Sequence, residues 1–130
     1  MEFTSRRYAD FVVAVLMGRV NHTNSPGLTE ALAPLLEAPE DGVRGIVLDF
    51  AGVEYISSVG LRVLMIASRQ ARAQERTIAV AALQPVVGEI FEISRFKHIV
   101  DVFPTVRAAL GQYSRPALAA YDGPGGPAGS

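Results

Sequence analysis

Two hydroxyls in the segment "VEYISSVGLR" (Val53–Arg62) are the residues of this chain best placed to carry chemistry. Ser57 and Ser58 fall between a β-type apolar run and a helical one, with Gly60 two positions on. A serine at a strand-to-helix junction commonly caps the helix, its side-chain oxygen accepting a backbone N–H of the first turn. The same place tolerates a phosphate well, because free amides and the positive end of the helix dipole both stabilise an anion. A phosphoserine there would add about −2 charges without unfolding the domain. Capping and modification are compatible, and either serine can serve as the cap.

Other chemistry finds little support. His22 falls in a loop and His98 beside an apolar run, neither at metal-ligand spacing with another His, Asp or Glu. His22 reads as a surface or capping residue. "GVEYISSVG" is not the glycine fingerprint of a dinucleotide site, and no Walker-type loop occurs. "ISSVGL" lacks the flanking glycines of a nucleophile elbow and has no evident base. The absence of cysteine removes disulfides and thiolate metal sites and fits a reducing compartment. The expectation is a non-enzymatic protein with no catalytic residue, cofactor or metal.

The elements that must position the serines are legible around them. A helix is expected from Gly60 to about Gln74. At about 100° per residue, Leu61, Leu64, Ser68 and Ala71 share the side expected to face a sheet, flanked by Met65 and Ala67. The other side gathers Val59, Arg62, Val63, Ile66 and Arg69. Apolar residues rimmed by charge suggest a docking patch. The alternative is a second helix of the same domain covering that side.

Upstream, Phe3–Tyr8 and Phe11–Met17 read as two strands around a turn at Ala9-Asp10. "GRVNHTNSPG" reads as a loop ending in the helix-start signal Ser25-Pro26. Leu28, Leu32, Leu35 and Leu36 follow at helical spacing up to a break at Pro39 and Gly42, and Gly45–Phe50 is a buried-strand run. Downstream come a strand from Thr77, a short helix from Pro85 through Ile93, a last strand within "KHIVDVF", and a helix from Pro104 to Leu110. This alternation predicts an α/β domain with a largely parallel sheet. The last 20 residues hold five glycines and three prolines, so residues 113–130 are expected to form a flexible tail after a domain of residues 1–112.

At 130 residues and 49% apolar content the chain suits one domain with a real core. A net charge of −1, with no clustered basic excess, argues against direct nucleic-acid binding. "SRRYADFVVAVLMGRV" faintly resembles a twin-arginine export signal, but Asp10 interrupts it and the apolar run from Phe11 to Met17 is too short. No run approaches the ~20 apolar residues of a spanning helix. A soluble cytoplasmic protein without a membrane partner is expected.

"GIVLDFAGVEYISSVGLRVL" resembles the signature of STAS domains, specifically the small single-domain anti-sigma factor antagonists. "QPVVGEIFEISRFKHIVDVFPTVRAAL" is similar to the closing helix–strand–helix segment of that family, and "FVVAVLMGRVNHTNS" to its second strand and following loop. The resemblance runs from about Phe3 to Gly111. It implies a mixed, largely parallel sheet with about four helices packed mainly on one side, and no catalysis. It further implies a partner that is an anti-sigma factor and a serine kinase of histidine-kinase-like ATPase fold, with a PP2C-type phosphatase opposing it. Unphosphorylated antagonist binds the kinase, and phosphorylation ends the interaction.

Matched position by position, the phosphorylated serine is Ser58. The implied docking surface comprises Asn21, His22, Thr23 and Asn24 with Ser57, Val59, Arg62, Val63, Ile66 and Arg69. Ser57 and Asn21 stand where the family often has aspartates, which removes negative charge from this surface. Val59 replaces a second serine, so Ser58 is the only family-matched hydroxyl. The runner-up within the same resemblance is a constitutive, unphosphorylated subunit of a membrane transport complex.

Overall fold

The computed structural model describes residues 1–37 and 40–123. Two strands open the chain, β1 (Glu2–Tyr8) and β2 (Phe11–Val20), followed by α1 (Ser25–Glu37), β3 (Gly45–Ile56) and α2 (Ser58–Ala73). Then come β4 (Thr77–Ala81), α3 (Pro85–Ile93), a 3₁₀ turn at Phe96–His98, β5 (Asp101–Phe103), α4 (Val106–Tyr113) and α5 (Arg115–Asp122). The five strands lie in sequence order in one sheet. Among the described residues only the β1–β2 hairpin is antiparallel, and β2 through β5 pair in parallel.

That topology dictates where the helices go. Right-handed crossovers repeated in one direction along a sheet leave their helices on the same face, and α1, α2 and α3 share one core. Their Leu28, Leu32, Leu36, Leu61, Leu64, Val87 and Phe91 pack with Ala14, Leu16, Ile46, Leu48, Phe50 and Val80 of the sheet. Successive strand residues point to opposite faces, so Phe11, Val13 and Val47 face the other way and meet Val106, Ala109, Leu110 and Ala117 of α4 and α5. Of the helices among the described residues, three thus occupy one face and two cover the other. Gly45–Phe50 reads as a nearly unbroken apolar run because both its faces are covered.

Two strands are longer than the sequence suggests. β2 continues through Gly18, Arg19 and Val20, expected to be loop, and β3 continues from Phe50 to Ile56. The pairing carries register shifts between Val15 and Met17 and between Gly18 and Arg19, with Gly18 at φ +97°. Bulges of this kind keep a strand paired while turning its alternation, which is why the apolar pattern broke there.

The expected tail from residue 113 is also corrected. Residues 115–122 form α5, and Ala117 is fully buried. Ser114 caps this helix by accepting the Ala117 amide at 3.1 Å and donates its hydroxyl to Asp10 Oδ1. Tyr121 meets Tyr8 edge-on at 5.2 Å, and Arg107 holds Asp122 through two bonds. The glycines and prolines flanking "RPALAAYD" masked an eight-residue segment with a serine cap and a proline at the first turn. Pro39 and residues 124–130, expected as break and tail, lie outside the described residues.

Candidate functional site at the carboxyl ends of β2 and β3

β2 and β3 end side by side, Val20 opposite Ile56. The Ser57 amide then donates to the Val20 carbonyl at 2.8 Å, tying the β3–α2 junction to the start of the β2–α1 loop. The Asn21–Asn24 loop and the two serines therefore occupy one edge of the molecule, although 33 or more residues separate them in sequence.

The loop is held by its own asparagines. Asn21 Oδ1 accepts the amides of Thr23 and Asn24, both at 3.0 Å, and Asn24 Oδ1 accepts the Asn21 amide at 2.9 Å. Asn24 Nδ2 donates to the Arg19 carbonyl at 2.8 Å, and Ser25 Oγ donates to the Asn21 carbonyl at 2.6 Å. Such side-chain-to-backbone turns suit Asn. Their effect is to present the exposed His22 and Thr23 on a fixed loop. Arg19 stacks over Tyr55 at 4.8 Å beside it. Sequence reading missed this pair, because it depends on the parallel register that sets Arg19 opposite Tyr55.

The junction separates the two serines. Ser57 is the N-cap of α2: its Oγ accepts the Gly60 amide at 3.1 Å, and its carbonyl accepts the Leu61 amide at 2.9 Å. Ser58, the first helical residue, is exposed, and its hydroxyl makes no hydrogen bond among the described residues. Of the helix's leading amides, those of Ser57 and Gly60 are engaged, which leaves those of Ser58 and Val59 at the positive end. No acidic residue stands in the first turn. Gly60 is required here: a Cβ on it would lie 2.8 Å from both Ile56 Cγ1 and Val20 Cγ1.

Along α2 the sheet-facing side is as expected, with Leu61, Leu64, Ala67, Ser68 and Ala71 all buried. Val59 and Ile66 are 44% and 52% exposed, and Arg62 and Arg69 are exposed as well. Val63 differs. It is half-buried and leans into a crevice of about 90 Å³ between α1 and α2, lined also by Thr29, Ala33, Glu37 and Ile66. A second helix thus covers part of the outer side, leaving the stripe from Val59 to Ile66 open. The α1 residues of this crevice were not foreseen, since only helix packing brings them to α2.

The sequence profile of the STAS domain matches residues 2–109. The chain belongs to the STAS domain family. Among its relatives is BtrV of Bordetella bronchiseptica, named as an inferred anti-sigma factor antagonist, 34% identical over 113 residues that span 87% of this chain and 95% of that one. The STAS fold recurs in an anti-sigma factor antagonist of Mycobacterium paratuberculosis, with a TM-score of 0.77 at 21% identity over 85% of this chain and 92% of that one. It recurs also in the anti-sigma factor antagonist SpoIIAA in its unphosphorylated form, with a TM-score of 0.71 at 17% identity over 85% and 95% of the two chains. The Bacillus SpoIIAA is known in its phosphorylated form as well, with a TM-score of 0.65 at 16% identity over 87% and 100%. The STAS match ends at residue 109, so α5 lies beyond it. Among the described residues no helix is long and apolar enough to cross a membrane.

Proposed function

We propose that this protein is a non-enzymatic anti-sigma factor antagonist of the cytoplasm that works as a phosphorylation-controlled partner switch. Unphosphorylated, it binds an anti-sigma factor that is also a serine kinase, through the Asn21–Asn24 loop, Ser57, Val59, Arg62, Val63, Ile66 and Arg69. Ser58 Oγ attacks the γ-phosphorus of the kinase-bound ATP: the O–P bond forms, the bond to ADP breaks, and the hydroxyl proton passes to a base of the kinase. The new dianion stands next to Val59 at the edge of an apolar contact, where burying it unpaired is unfavourable, and the complex dissociates. A PP2C-type phosphatase restores the binding form.

The observation that carries this reading is the exposed, unengaged hydroxyl of Ser58 beside a neighbour that already caps the helix. A phosphate on Ser58 leaves the Ser57 cap intact, whereas one on Ser57 would turn the oxygen that accepts the Gly60 amide into a weaker ester acceptor. The identity to BtrV and the existence of a phosphorylated SpoIIAA support the same reading.

Its test is peptide mass spectrometry after incubation with ATP and the serine kinase encoded nearest to the gene. One phosphate, on Ser58, is expected. No phosphate from a kinase proven active on another substrate would reject the switch in favour of a constitutively binding STAS subunit.

A further inference from the structure

The outer face formed by α1 and α2 carries an ordered charge pattern. Glu30 and Glu37 stand on the solvent side of α1, and Arg62 and Arg69 on the solvent side of α2. Each pair is seven residues apart, about 10.5 Å along a helix, and each begins in the second turn of its helix. The two helices run in the same direction, because both return from the end of one parallel strand to the start of the next. Between the acidic and basic rows lies a furrow of Ala33, Val63 and Ile66, with the polar Thr29 and Gln70 also on its walls. All four charged residues are exposed, and none forms an ion pair among the described residues.

A surface covering this face needs a basic row above α1, an acidic row above α2, both with a seven-residue repeat, and apolar residues between. The face itself has that description. We infer that it pairs with a second copy of this chain across a two-fold axis parallel to the helices. The rotation sets α1 of one copy over α2 of the other and preserves height, so that Glu30 meets Arg62 and Glu37 meets Arg69, twice over. Ile66, Val63 and Ala33 of both copies close the centre of a four-helix layer. The perpendicular two-fold would set glutamate on glutamate and arginine on arginine, so the charges select one arrangement by repulsion as well as attraction. This pairing does not depend on Ser58 or on a kinase. It covers Ile66, Arg62 and Arg69, and therefore competes with any partner that uses them.

Sedimentation analysis of the purified chain alone at low ionic strength, over rising concentration, tests it. The expected result is a shift toward a species of twice 13.9 kDa, reversed by high salt, which screens exposed pairs. E30K/E37K, with both rows basic, and R62E/R69E, with both rows acidic, are each expected to be monomeric. Their equimolar mixture is expected to recover a one-to-one dimer, which also shows that both variants fold. A wild-type monomer at every concentration overturns the inference and leaves the face to a different protein. Variants that dimerise like the wild type, or a mixture that stays monomeric, overturn it equally.

Discussion

The Ser57 hydroxyl accepts the Gly60 amide at 3.1 Å, and this one bond assigns different roles to two neighbouring serines. With the cap provided by Ser57, the hydroxyl of Ser58 is free to react at a helix end suited to an anion.

Ser57→Ala is accordingly expected to lower stability by about 1 kcal/mol, the usual effect of losing an N-cap, and the melting temperature by about 3–5 °C. Ser58→Ala should stay within about 0.5 kcal/mol, as for an exposed position without partners. Thermal and urea unfolding of the two variants side by side decides the matter. Equal losses would mean that the cap is shared.

The binding readout should run the other way. Against the serine kinase of the proposed switch, Ser58→Ala is expected to keep wild-type affinity and Ser58→Asp to lose at least about tenfold, or 1.4 kcal/mol. Equal affinities in calorimetry would remove the charge switch.

Gly60→Ala pits helix propensity against space. Alanine gains about 1 kcal/mol inside a helix, but its methyl would sit 2.8 Å from carbons of Ile56 and Val20, both fully buried. Overpacking of this kind costs about 1–3 kcal/mol, since one of these side chains or the junction itself must shift. A net loss of up to about 2 kcal/mol by urea unfolding is expected. A stabilised variant would show that the junction can relax.

Ile66 and Leu64 are two residues apart on α2 and have opposite burial, 52% against 1% exposed. Ile66→Asp is expected to abolish kinase binding while shifting stability by no more than about 1 kcal/mol. Leu64→Ala is expected to lose about 2–5 kcal/mol through the cavity it leaves. A large drop in melting temperature for Ile66→Asp would place that side chain in the core.

The second face has a pH-dependent tie. Burial pushes the Asp10 carboxyl up, but hydrogen bonds from Ser114, from its own backbone and from Arg44, with the charge of Arg44, outweigh this and hold it below its ordinary value of 3.8. A depressed folded pKa contributes stability that is present above the unfolded pKa and lost as pH falls through the folded value. Asp10→Asn should therefore be less stable than wild type by about 1–2 kcal/mol at neutral pH. The difference should shrink as pH falls below that ordinary value and through the lower folded one, as followed by urea unfolding at several pH values. A difference that persists in acid would exclude ionisation as its source.

Features set by local pattern were legible along the chain. The 3.6-residue periodicity from Leu61 to Ala71 marked the buried side of α2, and the short apolar run at Gly45–Phe50 marked a buried strand. The junction serines were visible as a cap, because capping needs only residues three apart. The STAS signature was also legible, since it lies in one continuous stretch.

Features that depend on groups distant along the chain emerged from folding alone. The division between Ser57 and Ser58 follows from the Val20 carbonyl, which holds the Ser57 amide and fixes where the helix begins. The bulged ends of β2 and β3 are kept as strand by pairing with each other, against their broken alternation. α5 is too short and too poor in large apolar residues to declare itself. It forms because Asp10, 104 residues away, engages its cap, and because the sheet offers Ala117 a fully buried seat. Short helices draw their stability from packing more than from propensity, and packing is a relation between segments that a single stretch of sequence does not contain.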